Sequence, residues 1–136
     1  MRKCYLYLIL FAGLILVSAM TLALEEADVR DYFKGWDTAD IGKVMSHFTA
    51  DIVYEDVPKA EISKGAVAVK TFVEQFFTEF AGARLAVDSI TIGKSGAAAE
   101  WTISGGSGEE AWSLRGASVM EHKGGKISKV TDYWDE

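Results

Sequence analysis

The second half of the chain alternates strand-like segments with glycine-containing turns, and this pattern restricts the fold more than any other feature of the sequence. Segments that favour β-structure cover residues 84–92, 97–104, 110–121 and 127–134. The turns between them lie at residues 93–96, 104–108 and 123–125. Connections this short join antiparallel neighbours. The sequence therefore predicts three hairpins in series, which form an antiparallel meander.

The first half of the domain has the spacing of helices. Apolar side chains recur at the i, i+3, i+4 and i+7 positions over residues 25–36, 40–48 and 63–80. Asp40 can cap the second helix, and Gly82 stops the third. A brief strand is predicted over residues 51–57, and it ends at Pro58, the only proline of the chain. The first two helices are expected to form a hairpin.

Helices followed by a meander predict an α+β fold. We expect a curved, mostly antiparallel sheet of four to six strands, wrapped around the long helix and joined to an N-terminal helical hairpin. Strand alternation places three apolar side chains on the inner face of residues 97–104, namely Ala99, Trp101 and Ile103. On the last strand, Val130, Asp132 and Trp134 share a face. An aspartate on an apolar face is a candidate functional residue.

The N-terminal segment indicates export. The chain begins with Met-Arg-Lys and carries no charge from Cys4 to Leu24. A basic start followed by an apolar run and small residues is typical of a secretory signal peptide. We expect cleavage after Ala23, so that residues 1–23 are removed, residues 24–136 form one domain, and the protein is secreted or periplasmic. The alternative is an uncleaved helix that anchors the protein to a membrane, since about 20 apolar residues can span a bilayer.

Charge and residue composition exclude several classes of function. Without residues 1–23, the domain carries 12 basic and 20 acidic side chains, a net charge of −8. This acidic balance disfavours nucleic acid as a partner. No cysteine remains, so the domain has neither a disulfide framework nor a thiol nucleophile. His47 and His122 are isolated and lack the spacing of metal ligands. We therefore predict no metal and no cofactor.

Three segments carry a family resemblance. They are the helical hairpin with Tyr32, Trp36 and Phe48, the segment Phe-Thr-Ala-Asp-Ile-Val-Tyr-Glu-Asp-Val-Pro at 48–58, and the segment Gly-Lys-Ile-Ser-Lys-Val-Thr-Asp-Tyr-Trp-Asp at 125–135. The chain resembles the SnoaL-like branch of the nuclear transport factor 2-like superfamily, which includes ketosteroid isomerases, polyketide cyclases and limonene epoxide hydrolases. This resemblance implies a cone-shaped, cystatin-like α+β barrel and a homodimer formed through the convex face of the sheet.

The resemblance to ketosteroid isomerases points to two residues. The general base of that family, an aspartate shortly before a proline, falls on Asp56. Its oxyanion-hole tyrosine lies sixteen residues before the matching Phe, as Tyr32 does before Phe48. The second oxyanion donor of the family is an aspartic acid, and at that place this sequence has only Ala117 and Ser118. The resemblance therefore implies part of an isomerase site.

The resemblance to epoxide hydrolases points to Tyr54, Asp56 and Asp132. In that family a tyrosine and an asparagine hold water, and an aspartate acts as acid or base. The remaining partners of its Asp-Arg-Asp arrangement would fall near Trp101 and Ala99, which cannot supply that chemistry. Epoxide hydrolysis is therefore not expected, whereas a cavity with these polar residues at its wall is.

Two functional hypotheses follow, with an accessory role for another exported protein as a third. In the first, the cone binds a small apolar molecule that Tyr54 and Asp132 orient. Three tryptophans would form the wall around it, namely Trp36, Trp101 and Trp134. In the second, the protein is an isomerase or cyclase in which Asp56 removes a proton next to a carbonyl and Tyr32 donates a hydrogen bond. Asp56 has a structural alternative as a turn residue before Pro58, and Asp132 has one as the partner of a lysine.

Overall fold

We analysed a computed structural model of the chain, which describes residues 22–135. Three helices and six strands make up the domain. The helices are α1 (Glu26–Asp37), α2 (Ile41–Ser46) and α3 (Ala66–Glu79), with a short 3-10 helix at Gly108–Glu110. The strands are β1 (Phe48–Asp56), β2 (Glu61–Lys64), β3 (Arg84–Ile92), β4 (Gly96–Gly105), β5 (Trp112–Lys123) and β6 (Lys126–Asp135).

The six strands form one mixed sheet in the order β2-β1-β6-β5-β4-β3. Every neighbouring pair is antiparallel except β1 and β6, which are parallel. Pairing irregularities interrupt β1, β3 and the β5–β6 ladder, and such bulges bend strands. The predicted α+β class and the antiparallel meander of β3 to β6 are confirmed.

The boundaries of several predicted elements were wrong. The second helix ends at Ser46 instead of residue 48, because the Ile127 amide donates to the His47 carbonyl and draws the chain into β1. The third helix begins at Ala66 instead of residue 63. The segment before it pairs with β1 as β2, a strand that the sequence did not predict. Gly65, at φ 84°, makes the left-handed turn between this strand and the helix.

The core lies between the inner face of the sheet and helices α1 and α3. Three side chains of β4 alternate inward as predicted, with Ala99, Trp101 and Ile103 at most 6% exposed. Asp37, at the end of α1, accepts hydrogen bonds from the Arg84 guanidinium at 2.8 and 3.1 Å and from the Leu85 amide at 3.1 Å. These bonds fix α1 to β3, which is an edge strand of the sheet.

The predicted signal peptide, residues 1–23, falls almost wholly outside the described residues. The described part begins at Leu22, and Leu24 is already buried in the core at 2% exposure. Within residues 22–135, none of the helices has the length and apolar character needed to cross a membrane.

Candidate functional site

A cavity lies between the inner face of the sheet and helices α1 and α3. Its volume is about 50 Å³. Nine aromatic side chains form most of the wall, and they are Tyr32, Phe33, Trp36, Tyr54, Phe72, Phe76, Phe80, Trp101 and Trp134. The rest of the wall consists of Leu85, Ile103, Leu114, Asp56, Lys59, Ser118 and Asp132. All seven residues predicted from the sequence as site residues therefore line this one cavity.

The parallel pairing of β1 with β6 brings two carboxylates together. Asp56 and Asp132 are register partners on these neighbouring strands. Both side chains point inward, because residues two apart on a strand share a face and the residue two before each is buried. These buried residues are Tyr54 before Asp56 and Val130 before Asp132. The Val57 amide donates to the Asp132 carbonyl at 3.1 Å and holds the strand ends together. Two acidic side chains thus share one side of an otherwise aromatic space.

Asp132 is held by hydroxyl donors on both of its carboxylate oxygens. The Tyr54 hydroxyl donates to Oδ2, and the Ser118 hydroxyl donates to Oδ1 at 2.5 Å. Ser118 in turn accepts a hydrogen bond from the Trp101 indole nitrogen at 2.9 Å. A chain of donors therefore runs from β4 through β5 to β6 and fixes the position of the Asp132 carboxyl group.

The surroundings of Asp132 change its acidity. Burial raises the pKa of Asp132 from 3.8 to about 6, and the negative charge of Asp56 adds to this rise. The hydrogen bonds from Ser118 and Tyr54 oppose it because they favour the charged form. Desolvation is the largest of these effects. Asp132 is therefore able to exchange a proton close to neutral pH.

The two cavity tyrosines remain protonated donors at neutral pH. Tyr32 and Tyr54 are 0% and 4% exposed. Burial raises the pKa of each well above its usual range, and the negative charge of Asp132 raises both further. Tyr54 donates to Asp132, whereas Tyr32 has the Tyr54 hydroxyl and the Trp36 indole as its polar neighbours.

Asp56 has a role in the loop as well as in the cavity. Its Oδ1 accepts a hydrogen bond from the Trp134 indole nitrogen at 2.9 Å and a longer one from the Lys59 amide at 3.4 Å. The side chain lines the cavity although the residue is only 6% exposed. The turn-residue and cavity-facing interpretations of Asp56 therefore describe the same position.

One buried donor in the wall makes no hydrogen bond of standard geometry. The indole nitrogen of Trp36 is buried and, within residues 22–135, has the Tyr32 hydroxyl as a polar neighbour but forms no well-aligned bond to it. Trp36 is 7% exposed and lies on the cavity-facing side of α1. Because an unpaired buried donor costs free energy, this position favours a hydrogen-bond acceptor on a molecule that enters the cavity.

Sequence reasoning passed over Ser118 and Lys59. Ser118 was considered only as a place where an expected aspartate was missing, yet it is 1% exposed and bonded to Asp132. The available signal was its position two residues before the apolar Met120, which places both side chains on the same face of the strand, and both are buried. Lys59 reaches the cavity from the loop after β1, and loops give no such periodic signal.

Among the described residues, neither histidine lines this cavity, although the His47 ring packs against Tyr32. His47 contacts Asp31 at 2.9 Å, and His122 lies 3.4 Å from the Lys94 carbonyl. Within the described part of the chain, no three His, Cys, Asp or Glu side chains are grouped so that they could hold a metal ion.

Comparison with known proteins identifies relatives of this domain. The model of the SnoaL-like domain family matches residues 29–130. None of the curated proteins matches the sequence significantly. Among solved structures, a protein from Catenulispora acidiphila with a ketosteroid isomerase-like fold, in complex with trimethylamine, superposes with a TM-score of 0.72 at 14% identity. That match covers 79% of this chain and 85% of the other.

Two further structures are similar over the same domain. A candidate ketosteroid isomerase from Kribbella flavida has a TM-score of 0.67 at 25% identity, covering 81% of this chain and 76% of the other. A candidate polyketide cyclase from Pseudomonas putida has a TM-score of 0.66 at 20% identity, covering 79% of this chain and 89% of the other. Likeness at these identities describes a shared fold, on which function depends on the residues of each cavity.

Proposed function

Because this chain belongs to the SnoaL-like domain family, we propose that it binds a compact, mostly apolar molecule inside its cone, with one polar group placed against Asp132 and Tyr54. The observation that carries the proposal is the convergence of these polar groups on one side of an aromatic cavity. Ligand sites are typically apolar spaces with a few convergent polar groups.

The size of the cavity limits the ligand. A volume of about 50 Å³ exceeds what one water needs, roughly 10–15 Å³, but falls far below the roughly 300 Å³ of a drug-sized site. A molecule with a few non-hydrogen atoms suits it better than a steroid. The Catenulispora relative, crystallised in complex with trimethylamine, supports a compact ligand of this kind.

Filling part of the cavity with a larger side chain should weaken ligand binding. Tryptophan fluorescence is a suitable signal, since Trp36, Trp101 and Trp134 line the cavity. We expect saturable changes with at least one of trimethylammonium, isopropanol and acetone, and at least tenfold weaker binding in Leu114→Phe. The matched control is Val67→Phe, on the exposed side of α3 and 85% exposed in the parent. Equal loss in both variants, or no saturable signal from any probe, would contradict the proposal.

Proton transfer next to a carbonyl is the second candidate function. The Trp36 indole and the Tyr32 hydroxyl, which adjoin each other, could both donate to a carbonyl oxygen, while a carboxylate of the cavity accepts the proton. The resemblance assigns that carboxylate to Asp56. Asp132 is its neighbour, and its pKa of about 6 suits proton exchange near neutral pH.

Deuterium exchange into acetone tests this second function. Catalysed exchange in D2O, followed by proton NMR, should rise with pH through about 6 if Asp132 is the base. Asp56→Asn or Asp132→Asn should lower the rate roughly 100-fold or more, depending on which carboxylate accepts the proton. An exchange rate equal to that of buffer would exclude this chemistry for acetone and leave the binding function standing.

Export is a separate proposal, supported by the basic start and apolar run of residues 1–23. A chain cleaved after Ala23 would keep Leu24, which is buried in the core. N-terminal sequencing of the protein from the medium or periplasm should begin at Leu24. A chain that starts at Met1 and needs detergent for extraction would favour the membrane anchor instead.

We also propose a homodimer through the outer face of the sheet. Val119 and Tyr133 on this face are 48% and 51% exposed. Sedimentation velocity of the wild type and of Tyr133→Asp should show a dimer only in the wild type, and a monomeric wild type at tens of micromolar would refute it.

A further inference from the structure

Within residues 22–135, the two carboxylates of the cavity have no positively charged partner. Asp56 and Asp132 are register partners on neighbouring strands, which lie about 4.8 Å apart. Within residues 22–135, none of the ion pairs closer than 4.0 Å involves either of them. Their hydrogen bonds come from Tyr54, Ser118, Trp134 and the Lys59 amide, all of them neutral donors.

The basic side chain in the cavity wall is engaged elsewhere. In the part of the chain that the structure describes, Lys59 is the one lysine or arginine among the lining residues. Its ammonium nitrogen lies 3.6 Å from a carboxylate oxygen of Glu79 and 5.6 Å from the centre of the Phe80 ring. Lys59 therefore does not neutralise the acidic pair, and the cavity retains a surplus of negative charge.

The remaining wall suits a cation. Aromatic rings attract positive charge at their faces, and alkylated ammonium groups bind well among several rings. Here Trp36 adjoins both Phe76 and Tyr54, with ring centres 5.1 Å apart for Trp36 and Phe76 and 6.1 Å apart for Trp36 and Tyr54. Acidic groups on one side and rings on the others match a compact cation with short alkyl groups.

We propose that the cavity takes a compact aliphatic ammonium ion, its charge set against Asp132 and Asp56 and its alkyl groups against the aromatic wall. This inference rests on the proposed binding function and specifies the chemical class of the ligand. The ligand supplies the positive charge that no side chain of residues 22–135 places beside these carboxylates. This charge compensates the free-energy cost of burying two neighbouring carboxylates.

The pH dependence of binding should carry the signature of a cation. The titratable groups around Asp132 are Asp56 and Tyr54 on β1, Tyr32 on α1 and Lys59 on the loop after β1. Burial keeps both tyrosines protonated by raising the pKa of each. Asp132, with a pKa of about 6, must lose its proton to bind a cation, so affinity should fall roughly tenfold between pH 8 and pH 5.

A matched pair of probes separates charge from shape. Isopropylammonium and isopropanol have the same carbon skeleton and differ in one polar group, which is charged only in the amine. Isothermal titration calorimetry of the domain at pH 8 should show at least tenfold tighter binding of isopropylammonium. Equal or tighter binding of isopropanol would overturn the ammonium inference and leave the binding function intact. Binding of neither probe would overturn the inference and, together with a negative fluorescence panel, the function.

Three variants locate the charge. Asp132→Asn and Asp56→Asn should each weaken isopropylammonium at least tenfold at pH 8, while Asp132→Asn should also lose the pH dependence. Asp51→Asn is the matched control, because Asp51 lies on the same strand as Asp56 but pairs with Lys123 at the surface. Unchanged ammonium affinity in both cavity variants, with native near-UV circular dichroism, would refute the inference.

Discussion

Replacing Asp132 by asparagine should remove a pH-dependent loss of stability from the folded protein. In the wild type, the pKa of Asp132 rises from 3.8 to about 6 on folding. A carboxyl group with a raised pKa binds its proton more tightly in the folded state, so the protein loses stability as the pH rises through this window. The full loss is about 3 kcal/mol above pH 7, since one pKa unit corresponds to about 1.4 kcal/mol.

The test compares how much the free energy of unfolding changes between two pH values in the wild type and in the variant. Urea unfolding of both proteins at pH 4 and pH 8 should show Asp132→Asn gaining about 2.5 kcal/mol on the wild type between the two pH values, slightly less than the full loss because the unfolded carboxyl group is already partly ionised at pH 4. The variant also loses the hydrogen bond that its amide group cannot accept from Tyr54 or Ser118, but that loss applies at both pH values and cancels. If the two proteins differed in free energy of unfolding by the same amount at both pH values, burial of the ionised Asp132 would not destabilise the folded state.

Asp37→Asn is a control with the opposite sign. The Arg84 guanidinium, the Leu85 amide and Lys34 hold the pKa of Asp37 below its usual range, against the effect of burial. A carboxyl group with a lowered pKa stabilises the folded state above its unfolded pKa of 3.8 and loses that contribution as the pH falls. Asp37→Asn should therefore be most destabilising near neutral pH and least so in acid, the reverse of Asp132→Asn.

The meander could be predicted because the sequence signals that define it lie within short, contiguous segments. Strand alternation and short glycine turns define β3 to β6 without reference to the rest of the chain, and they also place Trp101 and Asp132 on inner faces. The pairing of β1 with β6 has no such signal, since the two strands are far apart in sequence and join in parallel. Periodicity indicates which side chains face inward but not which strand lies beside which.

The candidate site depends on that non-local pairing. Tyr54 and Asp132 are separated by 78 residues, and they touch only because β6 lies between β1 and β5. The resemblance to a known family named both residues, but their contact and the part played by Ser118 required the register. β2 was missed for a similar reason, because its four residues become a strand only by pairing with β1.

The absence of a side chain at Gly116 makes room for the Trp101 indole. A Cβ atom at Gly116 would lie 2.3 Å from Cη2 and 2.5 Å from Cζ2 of Trp101, well inside the limits of contact. Trp101 is 4% exposed and donates to Ser118 at 2.9 Å, so the ring has little freedom to move away. Gly116→Ala should therefore displace the ring and weaken the hold of Ser118 on Asp132.

Gly116→Ala is expected to destabilise the fold by about 3 kcal/mol, the upper end of the usual cost of overpacking a core. Urea unfolding measures this loss, and near-UV circular dichroism reports the displaced indole. Gly42→Ala is the control, because Gly42 lies in α2 and its added Cβ would meet only Asp40 Oδ1 at 3.5 Å. Alanine has a higher helix propensity than glycine, so this control should be neutral or slightly stabilising.

A double variant tests whether the collision with Trp101 is the cause. Trp101→Phe removes the distal ring atoms that the new Cβ would strike, although it also loses the hydrogen bond to Ser118. In that background, Gly116→Ala should cost at least about 1 kcal/mol less than in the wild type, because two residues in contact do not contribute independently. Additive losses would mean that Gly116 is needed for its backbone and not for the space it leaves.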